Sequence, residues 1–283
     1  MVAGHQDNIK IGAIIQARMQ SIRLPGKILL PLPFNSTEVL LSWPVKRLQK
    51  SKLIKKIILA TSTNKENDVL KDFSAEHDIF FYAGSEQNVL SRFIEAANIY
   101  GLDIIVRVTG DNPIIDEGLI DQLTGLHIKG NFDYSYSDNL PVGMNVEVIT
   151  TAALKEIAAR KDLIQPDEEH VTHFFKRQNL YSVYKHEFEF KTNIAMRLTL
   201  DYAADYAMLN IVAEVSKKNN LYGIGLIKFI ENNYSWVFNS NARFFQKKQY
   251  KSFEDELVDS INILNEYEFR FTHDFLKKKL NEA

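Results

Sequence analysis

Apolar and polar positions alternate in blocks through the first half of the chain. Short apolar runs at Ile11–Ile15, Lys56–Ala60, Ile79–Tyr82 and Ile104–Val108 predict buried strands. Between them, apolar residues three and four apart predict helices at about Glu38–Lys50, Glu66–His77 and Glu86–Tyr100. The third is the clearest: Val89, Leu90, Phe93, Ile94 and Ala97 share one face, and Gly101 follows as a stop. This strand–helix rhythm predicts an α/β fold of three layers, α/β/α, with a mostly parallel central sheet. Ligands of such sheets sit at the C-terminal ends of the strands.

The second half is less regular. Strands are expected at Asp133–Tyr136, Val146–Ile149, Leu180–Lys185 and Ala195–Leu200. Helices are expected at Thr151–Arg160, Asp167–Gln178, Tyr202–Lys217 and Gly223–Asn232. From about Ala242 the chain is rich in Lys and Glu with interspersed Phe, Leu and Tyr, which predicts one or two further helices. The expected organisation is a frayed stretch at 1–8, an α/β domain at 9–241 and a helical C-terminal extension at 242–283. That extension reads either as an oligomerisation element or as cover for an exposed sheet edge.

Composition narrows the classes. The chain has 283 residues, 45% hydrophobic and 25% charged, ordinary values for one globular α/β domain with an appendage. A net charge of −2 gives no global basic field for nucleic acid or an anionic membrane. The absence of cysteine excludes disulfides, thiolate metal sites and cysteine nucleophiles, and it fits a reducing cytosol. No apolar run approaches the roughly 18–20 residues of a membrane helix. The opening MVAGHQDN does not read as a signal peptide.

The chemistry concentrates where strands end. Ile11–Ile15 runs into a loop carrying Arg18, Arg23 and Lys27, with Pro25-Gly26 setting a turn before the lysine. Arg supplies a planar fork and Lys a point charge, so this loop reads as a triphosphate cradle. It is not a Walker loop: Ser21 replaces the first Gly, and Ile28 the final Ser/Thr. Val106–Pro113 is a second strand leading into Thr109-Gly110-Asp111. Asp111 reads from its surroundings as a Mg2+ ligand or as a turn cap. In Arg197–Asp205, Asp201 reads as a second ligand or a helix N-cap, and Asp205 as a structural first-turn acid.

The stretch I-I-Q-A-R-M-x-S-x-R-L-P-G-K resembles the opening signature of the cytidylyltransferases that activate acidic sugars, the CMP-sialic acid and CMP-Kdo synthetases. It most resembles the branch called spore coat polysaccharide biosynthesis protein F-like. The resemblance covers about residues 9–240. It implies a nucleotide-diphospho-sugar transferase-like (Rossmann-like) sheet and a Mg2+-dependent enzyme. Ala17, Arg18, Ser21, Arg23 and Lys27 would then bind nucleotide, with Arg18, Lys27 and Asp111 catalytic. Asp111 and Asp201 would hold the metal. Thr61 and Ser62 would help to hold base and ribose and Thr109 would touch the nucleotide, strand-end capping being the other reading of the threonines.

On the acceptor side, Pro141–Val148 and Glu168–Thr172 are similar to branch motifs, which points to Asn145, Glu147, Glu169 and His170 as acceptor-binding. Asn145 and Glu147 share one side of an extended strand, and an edge strand with a wet face is the other reading. His170 reads as a general base or hydrogen-bond partner. Ser85 reads as the N-cap of the helix that follows it. Arg92 reads either as a nucleotide or acceptor contact or as part of a solvated helix face. Departures from the family pattern are Gln20 for Gly, Asn88 for Asp and Asn145 for Asp.

The expected function is CTP-dependent transfer of CMP to an acidic or modified sugar, with pyrophosphate released. The expected partners are CTP and a sugar acceptor, with no nucleic acid and no membrane. Relatives often dimerise, so a homodimer is among the expectations. A glycosyltransferase of related fold lacks support from an Asp-x-Asp motif. A non-catalytic scaffold is supported only by Gln20 and Asn145.

Overall fold

The structure, a computed structural model, describes residues 9–192, 194, 196–241, 252–266 and 268–282. The expected frayed stretch 1–8, the start of the expected strand at Ala195 and the opening 242–251 of the expected extension lie outside the described residues. The chain divides into two compact units, residues 1–243 and 244–283.

In the first unit the apolar runs form β1 (Ile11–Gln16), β2 (Lys56–Ser62), β3 (Phe80–Gly84) and β4 (Ile104–Thr109), all parallel. Beyond them lie β5 (Tyr134–Ser137), β6 (Glu147–Thr150) and β7 (Val183–His186). The sheet order is β3-β2-β1-β4-β6-β5-β7, and only β6 is antiparallel to its neighbours. Strands step outward from β1 to β3, and the chain then returns to the other side of β1 for β4. The reversal opens a crevice at the ends of β1 and β4, where sheets of this kind bind ligands.

Side-chain alternation along β1 splits the core in two. Ile11, Ala13 and Ile15 face one layer, built on α1 (Ser42–Leu48), α2 (Val69–Glu76), α4 (Glu117–Gly130), α8 (Ala203–Asn219) and α9 (Gly223–Tyr234). Ile14 faces the other, built on α3 (Val89–Tyr100), α5 (Thr151–Ala158) and α7 (His173–Arg177). Helices on both faces explain why the central strands read as continuous apolar runs.

Several elements differ from expectation. Helix α1 starts at Ser42, not Glu38, because residues 38–41 pair with the preceding segment: Leu32 N donates to Glu38 O (2.8 Å) and Leu40 N to Leu30 O (2.9 Å). Helix α3 starts at Val89 and is capped by Asn88, whose side chain accepts from Ser91 N (2.7 Å); Ser85 sits one turn earlier and accepts from Asn88 N. The single helix expected at Asp167–Gln178 is two short ones, α6 (Gln165–Glu169) and α7. They are separated by Val171, a buried β-branched residue at φ 50°, where a helix cannot continue. Residues 196–200 form no strand; Arg197 makes a lone parallel bridge to Val142. Helix α4 has no counterpart among the expected elements; Asp116 caps it, accepting from Leu119 N (3.0 Å).

In the second unit the described residues form α10 (Phe253–Glu266) and α11 (Arg270–Glu282).

Candidate active site

The loop after β1 is held at both ends. Ala17 N donates to Ala60 O (3.2 Å), tying the exit of β1 to β2. Gly26 N donates to Met19 O (2.9 Å), closing the loop, and Gly26 takes φ 69°, a conformation a side chain would strain. Met19 N donates to Asn67 Oδ1 (2.8 Å), while Asn67 Nδ2 donates to Ser62 Oγ (2.8 Å). Ser62 therefore anchors the basic loop through Asn67. Arg18 and Arg23 stay exposed on the loop, and Ser21 Oγ accepts from Leu24 N (3.4 Å).

Lys27 is different: it is 8% exposed. Its Nζ donates to Asp111 Oδ2 (2.5 Å), Leu200 O (2.5 Å) and Asp201 Oδ1 (3.1 Å). Arg23 Nη2 reaches the same Asp201 Oδ1 at 2.6 Å, and its guanidinium carbon lies 4.9 Å from the centre of the Tyr202 ring. Three segments distant in sequence thus meet on one ammonium. Leu200 N donates to Asp111 O (2.9 Å), and Leu198 N to Val142 O (2.7 Å), so backbone bonds fix the meeting. Gly143, at φ 98°, lies against the Leu198–Thr199 backbone, where an added Cβ would come within 2.7 Å.

Asp205 braces this arrangement from beneath. It is fully buried, and its Oδ2 accepts from the backbone N–H of both Asp201 and Tyr202 at 2.8 Å. Its Oδ1 accepts from Arg197 and from Asn241 Nδ2 (2.9 Å). Four donors saturate this carboxylate. Asp201 is left free of capping duty, since Tyr202 occupies the N-cap of α8.

A second polar cluster lies where β4 meets β6. Glu147 is 8% exposed and sits in an interior strand, so the edge-strand reading is set aside. It accepts from Arg107, Tyr134 OH (2.5 Å), Thr172 Oγ1 (3.0 Å) and Lys176 Nζ (3.2 Å). Burial pushes its carboxyl up, but the charges of Arg107 and Lys176 and the Tyr134 and Arg107 hydrogen bonds outweigh that, bringing it to about 2. Arg107 also donates to Gln16 Oε1 from Nε (3.2 Å) and Nη2 (3.1 Å). A cavity between β4 and the entry to β6 is lined by Arg107, Thr109, Asn112, Met144, Asn145 and Glu147. It brings Thr109, Asn145 and Glu147 together, and Asn112 joins them to Asp111.

The remaining expected residues stand apart. Thr61 is buried at the end of β2 with no partner for its hydroxyl among the described residues. Glu169 ends α6 and accepts from Gln165 Nε2 (2.7 Å), and His170 is exposed beside it; neither bonds to the Lys27 or Glu147 clusters. Arg92 is 5% exposed, which rules out the solvated-face reading. Gln16, Arg107, Tyr134, Thr172 and Lys176 carry no expectation from the sequence. Only Arg107, a cation inside a buried apolar strand, leaves a signal there.

Comparison with known proteins places this geometry. The sequence profile of the cytidylyltransferase family matches residues 12–249. The chain is 35% identical over 202 residues to the Bacillus subtilis spore coat polysaccharide biosynthesis protein SpsF, covering 68% of this chain and 82% of that protein. It is 34% identical over 253 residues to the uncharacterized protein MJ1063 of Methanocaldococcus jannaschii, covering 87% of this chain and all of the relative. Among solved structures, a cytidylyltransferase from Leptospira borgpetersenii superposes with a TM-score of 0.73 at 26% identity, covering 86% of this chain and all of that one. The chain belongs to the cytidylyltransferase family and is a nucleotidyltransferase.

Proposed function

We propose that the protein uses CTP to activate an acidic or otherwise modified sugar, forming a CMP-sugar and pyrophosphate in surface polysaccharide or glycan biosynthesis. The observation that carries this reading is the convergence of Asp111, Asp201 and Lys27 at the strand ends. It lies beside a loop that presents Arg18 and Arg23 to solvent, and Asn112 links it to the cavity at β4 and β6. Around this rim Arg18, Arg23, Lys27, Arg107 and Lys176 outnumber Asp111, Asp201 and Glu147. That excess suits a polyanion.

A divalent cation belongs to this reading, Mg2+ in our assignment. Two carboxylates already converge on one positive charge, the Lys27 ammonium, so the donor set suits a hard cation. Mg2+ needs few protein carboxylates, because water and phosphate oxygens complete its shell. Asp111 and Asp201 would hold it, and when bound it supplies Lewis-acid polarisation of phosphate oxygens.

The chain's own residues bind and align. Arg18, Arg23 and Lys27 neutralise the triphosphate as charge moves onto the leaving pyrophosphate. The acceptor oxygen attacks the α-phosphorus, the bond to the β-phosphate bridging oxygen breaks, and the acceptor hydroxyl gives up its proton. Glu147 acts through Arg107 and Lys176: its oxygens are engaged by internal donors, and it holds both cations toward the cavity. A half-exposed ammonium there suits an acceptor carboxylate. Little covalent work falls to the protein, so positioning and charge carry the rate.

The test is pyrophosphate release from CTP, UTP, GTP and ATP across a panel of sugar acids. CTP-selective, acceptor-dependent release is expected. Asp111→Asn should lose at least roughly 100-fold in turnover, the scale of a lost preorganised electrostatic contact. Near-normal turnover in that variant would overturn the assignment of Asp111, and acceptor-dependent release from another nucleotide would replace CTP.

A further inference from the structure

Arg92 lies in the first turn of α3, and its side chain turns inward to 5% exposure. Burial disfavours its charge. The exposed Arg18 adds repulsion, so burial first and Arg18 second lower its pKa; Glu86 and Tyr82 oppose this. A helix N-terminus is also the wrong end for a cation. No ion pair offsets these penalties among the described residues, and the buried Nε has no hydrogen-bond partner. Room for the side chain depends on Gly84 at the end of β3: a Cβ there would meet Arg92 Cγ at 3.3 Å and Tyr82 Cε1 at 2.8 Å.

A buried guanidinium without a partner is costly, and an apolar residue of similar length would fill the space without that cost. What the apolar residue could not do is bind an oxyanion, which a planar fork does well. We propose that Arg92 and Arg18 together form an oxyanion subsite at the ends of β1 and β3, taking a phosphate of the nucleotide or the carboxylate of the acceptor. This rests on the nucleotidyltransferase reading for the identity of its ligands, but not on CTP being the donor.

The experiment pairs the melting temperature of the unliganded protein with calorimetric binding of four probes without metal: pyrophosphate, CMP, cytidine and 3-deoxy-manno-octulosonate. Arg92→Met should raise the unliganded melting temperature, because a desolvated charge is gone. It should weaken the anionic probe that uses the subsite by at least about tenfold, the scale of one charge-assisted hydrogen bond, and leave cytidine unchanged. Loss confined to pyrophosphate and CMP identifies the nucleotide phosphate; loss confined to the sugar acid identifies the acceptor carboxylate. Arg18→Ala, on an exposed side chain, must weaken the same probe, which decides the matter even where Arg92→Met fails to fold. Unchanged affinities overturn the subsite, and so does an equal loss for cytidine, which would move Arg92 to the base. Wild-type binding of the sugar acid or pyrophosphate but not CMP would count against the cytidylyl reading while leaving the subsite measurable. Binding of none of the four would overturn both.

Discussion

Lys27 donates to two carboxylates and a carbonyl, so its removal changes more than phosphate binding. In Lys27→Met, Asp111 and Asp201 face one another without an internal cation. Turnover should fall at least about 100-fold. Mg2+ alone should raise the melting temperature of the variant more than that of the wild type; an equal rise would separate Lys27 from the metal ligands. His127 offers a pH test away from the site. It is 1% exposed, with Nδ1 at 2.9 Å from Ser135 Oγ and Nε2 unpartnered, and burial lowers its pKa to about 4 against an opposing Asp133. The unfolded chain binds a proton as pH falls through about 6.5, whereas the folded one resists until about 4. Stability from this residue is therefore present above that window and lost as pH falls through it. His127→Gln should flatten the melting-temperature profile there; an unchanged slope would assign the loss to other groups. Lys27, Asp111 and Asp201 were legible in the sequence because each follows an apolar run or a family-like motif. Arg107 and Lys176 were not, because their partner Glu147 becomes their neighbour only once β6 pairs with β4.

Helix α6, the turn at Val171 and helix α7 act as one device at the scale of elements. The apolar pattern of Asp167–Gln178 suits one helix, and nothing local marks the break, since Val is among the residues least suited to positive φ. Tertiary packing imposes it: Val171 is fully buried, and Thr172 donates to Glu147. Asp167, itself fully buried, ties the two helices by accepting from His173 Nδ1 (2.7 Å) and Arg177 Nη2 (2.6 Å). Strain held by surrounding structure belongs where a side chain must be aimed. Thr172→Val keeps the shape and removes one hydrogen bond. We expect a loss of about 1 kcal/mol in stability, a raised KM for the acceptor and an unchanged Kd for CTP. An altered CTP affinity with a normal acceptor KM would break the division between the two sides. The strand–helix rhythm of the first half was legible because each element buries one face or two; α4 was not assigned, and only Asp116 and the following acid mark its start.

At the scale of the whole molecule, the side chains assigned to the site all lie in residues 1–243, and the helices α10 and α11 lie in the other unit. A chain ending at residue 243 should keep the CTP-induced rise in melting temperature; its loss would assign the remaining residues to nucleotide binding. The reversed strand has a wider consequence. The other strands deliver their C-terminal ends to the site, whereas β6 begins there, so the segment 138–146 enters the rim from outside the βαβ repeat. The parts that grip the nucleotide and the part that meets the sugar share a border but no connecting loop. Insertions or recoding in 138–146, including the Asn145 departure, can alter what is activated without disturbing how it is activated. Within such a lineage, acceptor preference is free to diversify while the nucleotide chemistry stays fixed.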